Sequence, residues 1–172
     1  MQAAKDSFYM ALRDRLAALN PARTIQMNKE TRPGIVVREN SEPQFAAAQP
    51  GAFYLDWGEV QIAESTRPIL GMDCEIWYAS EGTSETRVDR GRMLGQMDEE
   101  LLSICSPPHT GMRDYRQSPS VDLGSGVFWT MPELKTAPGV EQIRKQERMA
   151  STVRLERWAR LRVYFFLPEV EA

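Results

Sequence analysis

The stretch that decides the fold is V-R-L-E-R-W-A-R-L-R-V-Y-F-F-L at residues 153–167. Seven of its eight odd-numbered positions carry apolar side chains, the exception being Arg157, whereas its even-numbered positions are mostly cationic or aromatic. Alternation with a period of two is typical of a β-strand, because successive side chains point to opposite faces of the sheet. The stretch therefore predicts a strand with one face in the core and one face outside it.

A strand over residues 153–167 would be unusually long. At about 3.3 Å per residue it would extend ~50 Å, whereas strands rarely exceed about ten residues. We therefore expect either a β-bulge or a bend near residues 157–159, or a strand that protrudes past its own sheet.

Two helices are predicted by apolar residues that recur every three or four positions. The first spans residues 2–19 and ends at the Asn-Pro pair at 20–21. The second is expected to begin at the capping-type motif Thr86-x-x-Asp89 and to end before the two prolines at 107–108. The apolar stripes consist of Ala4, Phe8, Leu12, Leu16 and Leu19 in the first helix and of Met93, Met97, Leu101 and Ile104 in the second.

Strands are predicted where β-branched and aromatic residues concentrate. They span residues 24–27, 34–38, 52–57, 60–64, 69–79 and 127–130. The first two, separated by the turn-rich residues 28–33, are expected to form a hairpin or to lie side by side. The strand at 69–79 alternates apolar and polar side chains, which predicts a polar outer face, and the turn residues 81–84 are expected to end it.

Three segments are predicted to be irregular because Pro, Gly, Ser, Asp or charged residues are frequent in them. They are residues 39–51, 106–126 and 132–147. The order helix, strands, helix, strands then predicts a single α+β domain over residues 1–172. Its sheet is expected to be mostly antiparallel, with two α-helices packed on one face and long irregular loops.

The composition argues against several functional classes. A net charge of −3 does not favour nucleic-acid binding, since such proteins need a basic excess to neutralise phosphates. No apolar run approaches the ~18 residues of a membrane span, and residues 1–19 lack the apolar stretch of a secretory signal, so we expect the protein to stay where it is made. Cys74 and Cys105 lack C-x-x-C spacing and lie in apolar-patterned elements, which favours buried free thiols over a disulfide and suits a reducing cytosol.

The residue clusters that catalysis or cofactor binding requires are missing from the sequence. The single histidine, His109, has no other His and no nearby Cys with which to bind a metal, and no G-x-S-x-G motif accompanies it. Residues 122–126 contain a G-x-G without the third glycine of a dinucleotide-binding loop, so a turn before the next strand explains it better. We therefore predict no enzymatic activity, no cofactor and no metal.

Two charged clusters near the second helix have competing interpretations. Arg87, Arg90 and Arg92 could bind a phosphate at the helix start, but acidic residues among them favour a surface charge network. The acidic run at residues 98–100 is interpreted as the solvated side of the helix, because neighbours on a helix point in different directions.

The even-numbered face of residues 153–167 is the best candidate for a functional surface. It carries Arg154, Trp158, Arg160, Arg162 and Tyr164. Arg, Trp and Tyr are enriched at protein interfaces because each covers much apolar area and keeps a polar group. The alternative is a second layer that packs against the protein's own helices or loops, and the sequence leaves both interpretations open.

The layout resembles that of a known family. The residues that carry the resemblance are the N-terminal amphipathic helix, R-P-G-I-V-V at 32–37, C-E-I-W-Y at 74–78, D-R-G-R-M-L-G-Q-M-D-E-E-L at 89–101 and R-L-R-V-Y-F-F at 160–166. In the order and length of its elements the chain is similar to the tail terminator proteins of long-tailed bacteriophages and related contractile injection systems. Residues 39–51 and 132–147 make the chain longer than small members of that family, so no residue role is carried over.

The resemblance implies a virion structural protein and not an enzyme. Such a protein forms a homohexameric ring that caps the tail tube, stops its polymerisation and joins it to the neck or head. Its partners are its own copies, the tail tube protein, in some particles the sheath, and a neck or head-completion protein, and its place is the tail–neck junction after assembly in the host cytoplasm. A ring needs two different contact surfaces per subunit, which the long strand and the segment around Phe45 would supply.

Other interpretations of the sequence remain. The chain would also suit another neck, connector or baseplate protein of a phage-like particle. Candidates of a different class are a small-molecule-binding or enzymatic α+β domain and a monomeric regulatory binding module.

Overall fold

The structure, a computed structural model, describes residues 1–27, 29–38, 49–63, 68–83, 88–136 and 152–166. These residues form two helices and nine strands. The helices are α1 (Gln2–Leu19) and α2 (Val88–Ile104). The strands are β1 (Thr24–Met27), β2 (Glu30–Pro33), β3 (Ile35–Val37), β4 (Phe53–Ala63), β5 (Ile69–Thr83), β6 (His109–Asp114), β7 (Val121–Trp129), β8 (Glu133–Thr136) and β9 (Thr152–Phe166).

Seven of these strands form one sheet. Its order is β3-β4-β5-β9-β7-β6, and β8 also pairs with β9. β3 runs parallel to β4, whereas every other pair in this sheet is antiparallel. β1 and β2 form a separate antiparallel hairpin. The predicted α+β class with a mostly antiparallel sheet is therefore confirmed.

Both helices pack on one face of the sheet. The side chains that they bury join the even-numbered residues of β5 and the odd-numbered residues of β9 in a single core. The members of this core from these four elements are Ala4, Phe8, Leu12, Leu16, Leu94, Met97, Leu101, Ile104, Leu70, Met72, Cys74, Ile76, Tyr78, Ala159, Leu161, Val163 and Phe165. Because each large apolar side chain contributes ~1.5–3 kcal/mol when it is buried, this core is the main source of the fold's stability.

The predicted apolar stripes of the helices need two corrections. Leu19 is 51% exposed, because the last turn of α1 extends past the sheet-facing side chains. Met93 is 41% exposed, whereas its neighbour Leu94 is buried, so the inner face of α2 passes through Leu94 and not through Met93. The helix start at Thr86 lies outside the described residues. No helix in the described ranges has the length and apolar character needed to cross a bilayer.

β9 pairs with β5 along its whole length. The pairing runs from Ile69 opposite Phe166 to Thr83 opposite Thr152 without a register shift. The expected bulge in β9 and the expected protrusion are therefore both wrong, because β5 continues through the turn-type residues 81–83 and matches β9. The bulge lies in β4, between Trp57 and Val60, where it joins the two predicted strands at 52–57 and 60–64 into one.

Arg157, the one charged residue on the inner face of β9, does not interrupt the strand. Its guanidinium donates to both carboxylate oxygens of Asp98 on α2, at 3.2 Å from Nε and 2.8 Å from Nη2. The hydroxyl of Tyr78 donates to the same carboxylate at 2.5 Å. The polar group is therefore satisfied inside the helix–sheet interface, and no bulge is required.

Several segments predicted to be irregular contain strands. Residues 106–126 hold β6 and most of β7, residues 132–147 hold β8, and the turn-rich residues 28–33 hold β2. These short, polar strands have weak patterns of their own, and their neighbours in the sheet supply the pairing. The predicted strand at 34–38 contains β3, which pairs with β4 and not with β1. The G-x-G at 122–126 lies within β7, at an irregularity of the β6–β7 pairing where Gly124 has a positive φ of 69°, and not in a turn before the strand.

Candidate interaction surface

The sheet has a second face, directed away from the helices, which we call the outer face. On β9 it carries the residues singled out from the sequence, and the register of β5 places one residue opposite each of them. The pairs are Glu81 with Arg154, Trp77 with Trp158, Glu75 with Arg160, Asp73 with Arg162, and Gly71 with Tyr164. Phe45 lies outside the described residues, so its predicted role stays a prediction.

Two ion pairs occupy the centre of the outer face. Arg162 Nε donates to Asp73 Oδ1 at 2.7 Å, and Arg160 Nη2 donates to Glu75 Oε1 at 2.6 Å. The hydrogen bond from Arg162 lowers the pKa of the Asp73 carboxyl below its ordinary value. Because Arg160 and Glu75 are about half exposed, their pair contributes at most ~1 kcal/mol to folding. These ion pairs contribute little to the stability of the fold. Their main effect is to fix where positive and negative charges lie on the outer face.

The charged pattern continues onto the neighbouring strands. Asp56 on β4 lies opposite Glu75, and Glu133 on β8 lies opposite Arg160 on the other side of β9. Partial burial raises the pKa of the Asp56 carboxyl above its ordinary value, and the nearby Glu75 acts in the same direction. The central row of the outer face therefore presents three carboxylates around one arginine.

One end of the outer face is aromatic and open to solvent. Phe128 on β7 lies opposite Tyr164, is 45% exposed, and contacts Phe166 edge to face at 6.5 Å between ring centroids. The ring of Phe128 lies over Gly126, where a Cβ would come within 2.9 Å of it. Gly71 similarly leaves room for Tyr164, since a Cβ there would lie 3.1 Å from that ring. Gly126 and Gly71 thus leave space for the rings of Phe128 and Tyr164.

The other end of the outer face belongs to the protein's own packing. Trp77 is fully buried in a small second core with Ile25 and Tyr54, so the polar outer face predicted for residues 69–79 is wrong at Trp77. Trp158 packs against this second core, and the guanidinium of Arg154 lies 4.8 Å from the centroid of a Trp77 ring. Ile25 of β1 packs at this end of the sheet, so Arg154 and Trp158 lie beside the protein's own second core, and the interface role predicted for them stays a prediction.

Sequence reasoning missed part of this surface. Phe128, Asp73, Glu75 and Asp56 belong to it, but they come from three other strands and only the register brings them beside β9. The alternation in residues 69–79 and 127–130 indicates which side chains of each strand share a face. It does not indicate which strands are adjacent in the sheet.

The β6 edge of the sheet is closed by α1. The Ser7 hydroxyl accepts a hydrogen bond from the backbone N–H of Arg113 at 2.9 Å. Arg15 donates to the carbonyl oxygens of His109 at 2.9 Å and Pro107 at 2.8 Å. Because side chains occupy backbone groups that an added strand would need, this edge is protected from pairing with another chain.

The residues considered for catalysis or metal binding do not come together in one group in the described part of the chain. Within the described residues, no three His, Cys, Asp or Glu side chains are grouped so that they could hold a metal. His109 is exposed on β6. Cys74 and Cys105 are free and buried, as predicted, and burial raises the pKa of Cys74 well above its ordinary value and that of Cys105 to about 12. Both thiols are therefore protonated at neutral pH and unreactive.

The acidic run on α2 is less solvated than predicted. Glu99 is exposed, but Glu100 is buried and paired with Arg23, and Asp98 is paired with Arg157. Arginines from elements outside the helix reach these carboxylates, which helix geometry alone does not reveal. Of the arginines considered for phosphate binding, Arg92 is exposed, and the side chains of Arg87 and Arg90 lie outside the described residues.

A scan of the sequence against protein-family models gives no match, and a search of curated proteins gives no significant match either.

Proposed function

We propose that this chain is a structural assembly protein, a ring subunit of the tail-terminator kind. In this proposal its copies form a closed homohexameric ring that caps a phage tail tube, stops its polymerisation and joins it to the neck or head. Its partners are then its own copies, the tube protein, the sheath where there is one, and a neck or head-completion protein at the tail–neck junction.

The observation that carries the proposal is the outer face. Its centre holds ordered charges, its Phe128 end is apolar and exposed, and both helices lie on the opposite side of the sheet. An exposed aromatic side chain beside fixed charges suits an interface, which uses the apolar part for affinity and the charges for specificity.

The two edges of the sheet give further support. A closed ring with rotational symmetry brings two different patches of each subunit together. The β6 edge is closed by Ser7 and Arg15, whereas the β3 edge carries a strand of three residues. The two edges therefore differ from each other, as the two surfaces of a head-to-tail contact do.

The double substitution Phe128→Ser with Arg160→Glu tests the role of the outer face. Both side chains are exposed, so the melting temperature should change little, while ring formation should weaken at least ten-fold because the apolar contact is lost and a charge is reversed. Sedimentation velocity across a concentration series measures the ring fraction, and circular dichroism measures the melting temperature.

The matched control is Leu102→Ser, which removes an exposed apolar side chain from α2 on the helix side. The proposal expects this variant to assemble like the unmodified chain. Unchanged assembly of the outer-face variant, or an equal loss in the control, would contradict the proposed role of this face.

A further inference from the structure

The single histidine of the chain, His109, stands at the start of β6 and belongs to the outer face. The register places His109 opposite Phe128 on β7, and Phe128 opposite Tyr164 on β9. Paired residues of antiparallel strands direct their side chains to the same face. The next residue, Thr110, lies opposite Val127, which is fully buried on the helix side, as the alternation requires. We call Tyr164, Phe128 and His109 the aromatic row.

His109 and Phe128 form the closer kind of cross-strand pair. The N–H of Trp129 donates to Pro108 O at 3.0 Å, so the backbone of Trp129 is directed toward β6. Because backbone groups alternate along a strand, those of Phe128 point the other way, toward β9. His109 and Phe128 are therefore a non-hydrogen-bonded pair, in which the Cα atoms lie about 4.5 Å apart and the side chains are closest.

The backbone of His109 is fixed while its side chain stays accessible. Arg15 of α1 donates to the carbonyl oxygen of His109 at 2.9 Å, and the N–H of His109 donates to Pro107 O at 2.9 Å. The imidazole is exposed, as is Phe128 beside it. Within the described ranges the imidazole has no hydrogen bond or ion pair. A positive charge on it is therefore stabilised mainly by water.

The charged groups around His109 do not favour its protonated form. At this end of the sheet, the charged side chains of the described elements that pack against β6 or lie across β7 from it are already engaged. They are Arg15 on α1, which donates to backbone carbonyls, the Arg13–Asp14 pair on α1, and the Arg162–Asp73 pair on β9 and β5. The last turn of α2 and residues 123–129 of β7 contain no charged residue. Among these described groups, no carboxylate is left to pair with an imidazolium.

We propose that protonation of His109 weakens the contact that the outer face makes in the ring. The inference rests on the proposed function and adds a regulation to it. In a free subunit the charged imidazole is hydrated, whereas in a closed contact it would lie beside Phe128 without water, which disfavours the charged form. A contact with aromatic rings returns only part of this cost. The assembled state therefore binds fewer protons than the free subunit.

The direction of the pH effect follows from this difference in bound protons. Histidine side chains ordinarily titrate near pH ~6.5, so assembly is at full strength above that pH and is lost progressively below it. Each pH unit below this point lowers the association constant per contact by up to about ten-fold. Asp56 also lies on the outer face, and partial burial raises the pKa of its carboxyl above the ordinary value, so its contribution must be separated.

Sedimentation velocity of the full chain at about pH 7.5 and about pH 5.5, at constant ionic strength, measures the effect. We expect the association constant to fall about ten-fold at the lower pH. In His109→Gln it should fall less than about two-fold, because glutamine keeps a polar side chain without the titrating charge. Asp56→Asn is the matched control, since it removes a titrating group of the outer face but should keep the ten-fold loss.

A second readout tests the placement of His109 in the subunit itself. In an NMR titration of the full chain, the ring protons of Phe128 should shift with the same midpoint as the Cε1 proton of His109. This shift should disappear in His109→Gln. The ring protons of Phe8, which is fully buried on the helix side, serve as the control and should not follow the titration.

The possible outcomes separate the inference from the proposed function. Rings that are equally stable at both pH values, or more stable at the lower one, would overturn the inference and leave the proposed function standing. A pH effect that persists in His109→Gln and disappears in Asp56→Asn would overturn it as well. A chain that stays monomeric at both pH values would count against the function. Phe128 signals that do not follow the histidine would contradict the placement of His109 in the aromatic row.

Discussion

Replacing Leu161 by Asp is expected to unfold the protein. Leu161 is 2% exposed, lies in the middle of β9 opposite Cys74, and faces the helices. A carboxylate without a partner in this core costs several kcal/mol, which is comparable with the ~5–15 kcal/mol of a typical domain. Far-ultraviolet circular dichroism and a thermal scan of the purified variant would show the loss of the cooperative transition.

The neighbouring position provides the control. Arg160 is adjacent in sequence but points to the outer face, where its side chain is 55% exposed. Arg160→Asp should therefore keep the fold and lower its stability by no more than ~1 kcal/mol, since the surface pair with Glu75 is weak. A Leu161→Asp variant that melts cooperatively near the temperature of the unmodified chain would show that this face of β9 is not in the core.

The second large effect is expected at a buried ion pair that joins the turn after α1 to α2. The side chains of Arg23 and Glu100 are only 9% and 7% exposed, and the Arg23 guanidinium donates to both carboxylate oxygens of Glu100. Asn20 Nδ2 donates to the same carboxylate at 2.7 Å, and Arg23 Nη1 donates to Gly51 O at 3.1 Å. The pair therefore connects three parts of the chain.

Replacing Arg23 by Met should lower the free energy of unfolding by about 3–5 kcal/mol, because Glu100 is left buried without its cation. Urea denaturation of the two forms measures this difference. The double variant Arg23→Met with Glu100→Leu should recover most of the loss, since it removes both charges. A loss below ~1 kcal/mol in the single variant, or no recovery in the double one, would mean that solvent reaches the pair.

The elements with a strong internal period were predictable from the sequence. α1 follows from its apolar spacing, and β9 follows from alternation over fifteen residues. The length of β5 was not predictable, because residues 81–83 are turn formers that become a strand only through pairing with β9. β6 and residues 121–126 of β7 were missed for the same reason, since their polar, glycine-containing sequences depend on neighbours in the sheet, whereas the end of β7 falls in the strand predicted at 127–130.

The candidate surface was predictable in part. The alternation in β9 indicated which side chains leave the core, and Arg160, Arg162 and Tyr164 do lie on the outer face. The burial of Trp77 and the contacts of Trp158 depend on β1, whose position no local pattern reveals. A groove of about 390 Å³ beside β3 combines residues from α1, the β1–β2 hairpin, β3 and β4, so only the tertiary structure brings its walls together.

The central claim, that this chain works by assembling with its own copies, is tested most directly by the mass of the purified full chain in solution. Sedimentation equilibrium or light scattering at micromolar concentration should give a closed ring, with six times the 19.6 kDa of one chain as the expected mass. A stable 19.6 kDa monomer that also fails to assemble on added tail tubes would contradict the claim.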